Sequence, residues 1–270
     1  MSNDEKIPTL GGLLKGKRAV ITGVANDRSI AWAIAQAFHR EGAELIFTYP
    51  GEDMEKRVRP LAETLDPRAI IDCDVGKDED IAKTVEEVRK VWDRVDILLH
   101  SIGFAPRGAL DGRFADVTSR DAWRITMDVS AYSLIALTRA FKPLMAPGSN
   151  VLALSYYGAE KVVRNYNVMG VAKAALECSA RYLADDLGQD GIRVNCISAG
   201  PLKTLAAAGI KGMRSMLGEN ADKTPMRRNI DQDDVARAAL YLCTDLARNV
   251  TGEVLHVDAG QNIVGVVSMG

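Results

Sequence analysis

The sequence predicts an α/β protein: a Rossmann-type doubly wound parallel sheet of about seven strands with helices on both faces. Three observations carry this. Short apolar runs alternate with helical patterns along the whole chain. The runs are apolar throughout, without polar–apolar alternation, which marks strands covered on both faces. Hydrophobic residues make up 47% of the 270, ample for one large core.

Taken in order, Arg18 to Thr22 is the first β-rich run, and Gly23 ends it. Ser29 then stands as N-cap to a helix with Ile30, Ala33, Ile34, Ala37 and Phe38 at helical spacing, and Gly42 closes that helix. Leu45 to Tyr49 is the second strand, followed by the Pro50-Gly51 turn and a charged helix to about Leu65. The third strand is Ala69 to Cys73, and a helix follows from Asp78 to Trp92 with Ile81, Val85, Val88 and Trp92 on one face. Val95 to His100 is the fourth strand, then a polar loop to about Val117. A long helix begins at Ser119 or Asp121 and reaches about Leu144, where Pro147-Gly148 breaks it. The fifth strand begins at Val151, and a helix spans Val168 to Leu187. Ile192 to Ser198 is the sixth strand, Asp231 to Leu246 another helix and Glu253 to Val257 the last strand.

The charge balance, 34 Lys+Arg against 36 Asp+Glu, offers neither a basic tract for nucleic acid nor an acidic tail. Residues 1–12 read as a flexible arm, polar with Pro8 and Gly11-Gly12; no leader or membrane-spanning stretch is seen, which points to the cytoplasm. Residues 13–270 read as one catalytic domain. Cys73, Cys178, Cys196 and Cys243 are scattered, lack metal-ligand spacing and fall in apolar contexts, so all four are expected as small core residues in a reducing compartment, with no metal.

Two regions carry chemistry. Thr22 to Ile30 occupies the first strand-to-helix turn, where backbone N–H groups and a helix N-terminus can hold a diphosphate. It has one glycine, Gly23, where a dinucleotide fingerprint has three, and Ser29 stands where a later glycine is expected; an ordinary strand–helix turn is the alternative. The second strand ends in Thr48-Tyr49-Pro50 without the acid of an NAD site or the arginine of an NADP site, although Lys56 and Arg57 follow. NADH is the expected cofactor, with NADPH open. Asp74 is placed for an adenine amino group or as a simple turn former, and Ile102-Gly103 allows close backbone approach. The second region is Ser155 to Lys173. Tyr166 and Lys173 are seven positions apart, about two helical turns, so the spacing predicts a phenol and an ammonium on one helix face just past a strand end; Tyr156 adds a second phenol at the strand tip. Tyrosines packed with their hydroxyls in water are the alternative.

These motifs together resemble the FabI-type bacterial enoyl-acyl-carrier-protein reductases of the short-chain dehydrogenase/reductase superfamily. The resemblance runs from about Leu13 to Val266. It is carried by Thr22-Gly-Val-Ala with Arg28-Ser-Ile, Cys73-Asp-Val, His100-Ser-Ile-Gly-Phe-Ala, Tyr166-Asn-Val-Met-Gly-Val-Ala-Lys173, Ser198-Ala-Gly-Pro-Leu-Lys-Thr-Leu205 and Gly252-Glu-Val-Leu-His-Val-Asp258. The wider superfamily carries Tyr-x3-Lys, which would need tyrosine at Met169; the FabI type carries Tyr-x6-Lys with a further tyrosine ten residues upstream, as in Tyr156, Tyr166 and Lys173.

The resemblance implies hydride transfer from NAD(P)H to the β-carbon of a trans-2-enoyl thioester on acyl carrier protein, in the type II fatty acid elongation cycle. It implies Tyr156, Tyr166 and Lys173 as catalytic, and cofactor contacts from Gly23, Ser29, Ile30, Asp74, Val75, Ile102, Gly103, Lys173, Leu202, Lys203, Thr204, Leu205 and Ala206. Ala105, with the two tyrosines, would meet substrate. Family members often carry a polar or basic side chain at position 50, and Pro50 offers none. Residues 202–217, rich in Ala and Met, read as a substrate lid or a surface helix; Lys211 and Arg214 are either a carrier-protein docking pair or solvated charges. A homotetramer is implied by the family. The rivals are a carbonyl or 3-oxoacyl reductase, against which Tyr-x6-Lys speaks, and a catalytically silent dinucleotide-binding protein.

Overall fold

The computed structural model describes residues 11–202 and 221–265. Its seven strands form one all-parallel sheet in the order β3-β2-β1-β4-β5-β6-β7. They are β1 (Arg18–Ile21), β2 (Glu44–Tyr49), β3 (Ala69–Asp72), β4 (Ile97–His100), β5 (Asn150–Tyr156), β6 (Arg193–Ala199) and β7 (Val254–Val257). Every expected strand is present, with ends within a residue or two. The order reverses between β1 and β4, so the connections leave on opposite faces there and open a crevice at the strands' carboxyl ends.

The helices are α1 (Ile30–Arg40), α2 (Glu52–Ala62), α3 (Asp78–Val91), the short α4 (Phe114–Val117), α5 (Arg120–Met127), α6 (Ser133–Phe141), α7 (Val168–Gly188) and α8 (Gln232–Cys243). One face of the sheet is covered by α1, α2 and α8, where Phe38, Ile34 and Leu240 pack on Ile21, Leu99 and Ile197. The other is covered by α3, α6 and α7, where Val88, Phe141 and Leu176 pack on Val20, Leu98 and Cys196. Both faces of β1, β4 and β5 are therefore dry, which is why these runs carry no alternation.

Three features depart from the sequence reading. The long helix from Ser119 is interrupted: α5 and α6 are joined by a π turn, Asp128–Tyr132. The extra residue turns Ser130 and Ser133 toward β4, and nothing in the apolar spacing marks it. Cys178 is exposed on the outer face of α7, whereas Cys73, Cys196 and Cys243 are buried; Leu176 and Glu177 take the inward positions beside it. Ser29 occupies the N-cap of α1 without capping it, because its hydroxyl is turned back to the preceding loop. Among the described residues no helix is long and apolar enough to cross a membrane, and no group of His, Cys, Asp or Glu could hold a metal ion. The arm's residues 1–10, the loop residues Lys203, Thr204, Leu205 and Ala206, the rest of the expected lid and the Lys211–Arg214 pair lie outside the described residues.

Candidate active site

The crevice is built from the ends of β1, β4 and β5. After β1, Gly23 adopts φ +85° and lies so close to the end of β4 that a Cβ would stand 1.9 Å from the Ser101 carbonyl oxygen. The single glycine of the turn is therefore demanded by backbone contact as well as by backbone conformation. The Ser29 hydroxyl accepts from the N–H groups of Ala25 and Asn26 at 3.0 and 3.1 Å, folding the loop into the compact shape that further glycines would otherwise permit. With no side chain capping α1, the N–H groups of Ile30 and Ala31 are left for a ligand, while that of Trp32 donates to the Ser29 carbonyl at 3.0 Å. These groups suit a diphosphate, so the residues present fit a dinucleotide. After β3, the Asp74 carboxylate accepts from Gly76 N–H at 3.0 Å and pairs with Lys77 at 3.3 Å, forming the rim with half-buried Val75. Pro50 is exposed at the tip of β2, and Lys56 pairs with Asp53 at 3.6 Å on the surface of α2.

The tyrosines and the lysine meet at the end of β5. Lys173, on the inner face of α7, donates from Nζ to the Leu154 carbonyl at 2.7 Å and reaches the Ile102 carbonyl at 3.4 Å, tying α7 to the ends of β4 and β5. A Cβ on Gly103 would stand 3.7 Å from Nζ, so that glycine leaves the approach to the ammonium open to a ribose hydroxyl. Tyr156 and Tyr166 are both buried, with ring centroids 4.9 Å apart and planes at 72°, an edge-to-face pair. Met169 and Ala172 complete their cluster, with Ala105, Leu110, Met127 and Val163 packed against it. Ala105 and the two tyrosines, far apart in the chain, thus line one apolar wall.

Tyr166 is not on the helix, as its spacing from Lys173 predicted. α7 starts at Val168, with Asn167 at its N-cap, and Tyr166 precedes both. Asn165 and Asn167 take φ +64° and +44°, left-handed excursions on either side of the tyrosine that aim its ring inward. The Asn167 amide holds this bend by donating to the carbonyls of Ala109 at 3.1 Å and Gly112 at 3.2 Å. Gly158 makes the space: a Cβ there would lie 2.4 Å from Cδ1 of Tyr166. Gly158 and Asn167 escaped the sequence reading, although a glycine between two tyrosines was a visible signal for the first.

Burial sets the electrostatics. It pushes the Tyr156 hydroxyl up to about 12 and Tyr166 still higher, with Tyr156 and Glu177 adding to the latter, so both remain hydrogen-bond donors at neutral pH. Burial lowers Lys173 to about 8, opposed by Cys196 and Glu177. His100, fully buried at the end of β4, falls to about 3 through burial and the nearby Lys173, and is neutral.

A doubly wound parallel sheet, a phosphate-ready first turn and a buried tyrosine–lysine pair at the switch point define a nicotinamide-dependent oxidoreductase of the short-chain dehydrogenase type. The family model described as enoyl-(acyl carrier protein) reductase matches residues 23–262, and the chain belongs to that family. A curated relative from Aquifex aeolicus, the enoyl-[acyl-carrier-protein] reductase [NADH] FabI, is 52% identical over 257 residues, covering 94% of each chain. Among solved structures, the Bacillus cereus enoyl-acyl carrier protein reductase with NADP+ and indole naphthyridinone superposes with a TM-score of 0.91 at 50% identity, over 94% of this chain and 99% of that one. The Anaplasma phagocytophilum enzyme in complex with NAD gives 0.90 at 46% identity, over 96% of each.

Proposed function

We propose that this protein is an NADH-dependent enoyl-[acyl-carrier-protein] reductase, converting trans-2-enoyl thioesters to acyl thioesters in fatty acid biosynthesis. The observation that carries the reading is the edge-to-face Tyr156–Tyr166 pair packed with Ala105 beside a lysine anchored on the strand ends. When bound, the dihydronicotinamide supplies the hydride that adds to the β-carbon. The chain's own residues handle the charge that this displaces onto the thioester oxygen. Tyr166, a donor held in a dry pocket, is aimed at that enolate oxygen, where a hydrogen bond is worth a few kcal/mol. Lys173 grips the ribose hydroxyls and supplies positive potential. Tyr156 holds the Tyr166 ring and lines the acyl site. Gly23, Ser29 and Ile30 take the diphosphate, Asp74 and Val75 the adenine side, and Ile102 and Gly103 the nicotinamide side.

Residues 13–270 act in this reading as one catalytic domain, with the lid at 202–217 closing over the acyl chain and Leu202 to Ala206 completing the cofactor contacts. Acyl carrier protein docks at Lys211 and Arg214, and the protein works as a cytoplasmic homotetramer.

The test is oxidation of NADH and of NADPH with crotonyl-coenzyme A, repeated with a carrier-borne enoyl substrate. Turnover is expected, faster with NADH; no turnover on either substrate would overturn the reading. Tyr166→Phe should lower kcat by about a hundredfold or more with NADH affinity kept. Unchanged turnover in that variant would remove Tyr166 from the donor role.

A further inference from the structure

Enoyl reduction adds a hydride and a proton, so every turnover draws one proton from solvent into a site walled by buried side chains. Glu177 is a buried carboxyl for which the reaction above has no use. It stands one helical turn after Lys173 on the inner face of α7. The two side chains land on consecutive residues of β5: Lys173 Nζ on the Leu154 carbonyl, and the Glu177 carboxyl on the Ser155 hydroxyl, which donates to it at 2.5 Å. Ser155 pairs in register with Ser198 of β6, and Ser198 with His256 of β7. Side chains in register share a face, so the three form a polar row across the α7 side of the sheet, neighbouring strands being about 4.8 Å apart. Ser198 is 1% exposed and its hydroxyl has no partner among the described residues. His256 ends the row at the surface, where Nε2 meets Glu160 at 2.6 Å.

We propose that this row is the proton entry of the enzyme, with Glu177 holding the proton that replenishes the site through Lys173; it rests on the enoyl reductase reading above. Glu177 passes its proton to the Lys173 amine, restoring the ammonium after that group's proton has gone to the hydroxyl that serves the enolate. The carboxylate left behind is reprotonated along Ser155 and Ser198 from His256, whose imidazole takes its proton from water. Each O–H or N–H bond broken is remade from the next group outward. The electron pair of the new β C–H bond comes from the hydride alone, and the proton ends on the α-carbon. A hydroxyl both donates and accepts, so each serine relays by rotation, directly or through one bridging water.

The groups facing Glu177 are Ser155 from β5, Cys196 and Ser198 from β6, His256 from β7, Glu160 from the turn after β5, and Lys173 and Arg181 from its own helix. Burial raises the Glu177 carboxyl above its ordinary value, with Glu160 adding to the rise against the Ser155 hydrogen bond, which favours a proton-holding carboxyl.

Glu177→Gln keeps the Ser155 hydrogen bond and cannot carry a proton. It should lower kcat roughly tenfold, enlarge the solvent deuterium isotope effect on kcat and leave NADH affinity unchanged, with Glu177→Asp recovering part of the rate. In the cofactor-free protein, the wild type should show a carboxylic-acid infrared band that persists to higher pH than that of an ordinary carboxyl and that Glu177→Gln lacks. Ser198→Ala, which deletes one buried hydroxyl, should reproduce the isotope effect in milder form and carries the test should the Glu177 variants not fold. An unchanged kcat, or a lower kcat with the wild-type isotope effect, would overturn the proposal while leaving the enoyl reductase reading standing. Failure of the wild type to reduce any enoyl thioester would overturn both.

Discussion

An ammonium shut away from water gives up its proton readily, and Lys173, lowered to about 8, sits at the edge of the working range. Below that value it is charged and can hold ribose hydroxyls as a donor of three hydrogens; above it one donor and the positive potential are lost. The kcat/KM for NADH should therefore fall on an alkaline limb with an apparent pKa near 8. Lys173→Arg, which stays charged, should be slower at neutral pH but lack that limb. A flat wild-type profile through about pH 9 would contradict the assignment. Gly158 acts by its lack of a side chain. Gly158→Ala would drive a methyl group into the Tyr166 ring, so the ring or the turn must move. A shift of about 1 Å at a donor costs roughly a hundredfold in rate. The variant should lose kcat to about that extent while NADH titration stays close to normal, and a wild-type kcat would show that the Tyr166 position is not critical.

At the scale of elements, the π turn between α5 and α6 places the loop after β4. The Ser130 hydroxyl accepts from Phe104 N–H at 2.9 Å and donates to the Phe104 carbonyl at 3.0 Å, pinning the loop that carries Ala105. One turn on, the Ser133 hydroxyl donates to the Val129 carbonyl at 2.7 Å and so accepts from Nε2 of His100 at 2.8 Å. A regular helix would carry these serines off the sheet's end. Ser130→Ala leaves two backbone groups of Phe104 without their partner, at about 1 kcal/mol each. The KM for the enoyl thioester should rise several-fold with NADH affinity unchanged; equal KM values would free Ser130 of this role. The sequence announced the helix, its Ser119 cap and its apolar stripe, since those follow from spacing. It hid the π turn because one extra residue in a helix leaves the composition intact and only rotates the stripe. Tyr166 was misplaced for a related reason. A seven-residue spacing fits a helix face whether or not the first residue is helical, and the left-handed Asn165 and Asn167 are the cue that it is not. β1, β4 and β5 were legible because burial on both faces leaves an unbroken apolar run, a signal that needs no tertiary knowledge; the edge strands β3 and β7, only partly buried, were marked by their place in the strand–helix alternation.

For the whole molecule, two buried bases, His100 and Lys173, give stability a dependence on pH. His100 titrates near 6.5 when unfolded and about 3 when folded. Between those values the unfolded chain binds a proton that the folded one refuses. Stability is thus full above about pH 6.5 and is lost as pH falls toward 3, by a few kcal/mol on this group's account. Chemical denaturation at a series of acidic pH values should show that slope, and His100→Gln should flatten it; an identical slope would mean that other groups dominate. Lys173 works in the same sense at the other end, adding stability as pH rises from about 8 to its unfolded value near 10.5.

The all-parallel sheet also dictates how the chain must acquire its shape. Among the described residues no strand pairs with a neighbour across a tight turn. β1 meets β4, the central strand, through pairs such as Ala19 with Ile97, and β6 meets β7 through Cys196 with Val254. Such topology has high contact order, because each ladder waits on the closure of a long loop. During synthesis the apolar Ala19–Ile21 segment leaves the ribosome well before β4 exists, and even once β2 is made its other edge stays unpaired through that interval. The nascent chain is most exposed to aggregation in that interval, so slower folding variants should be recovered first by chaperones or lower growth temperature.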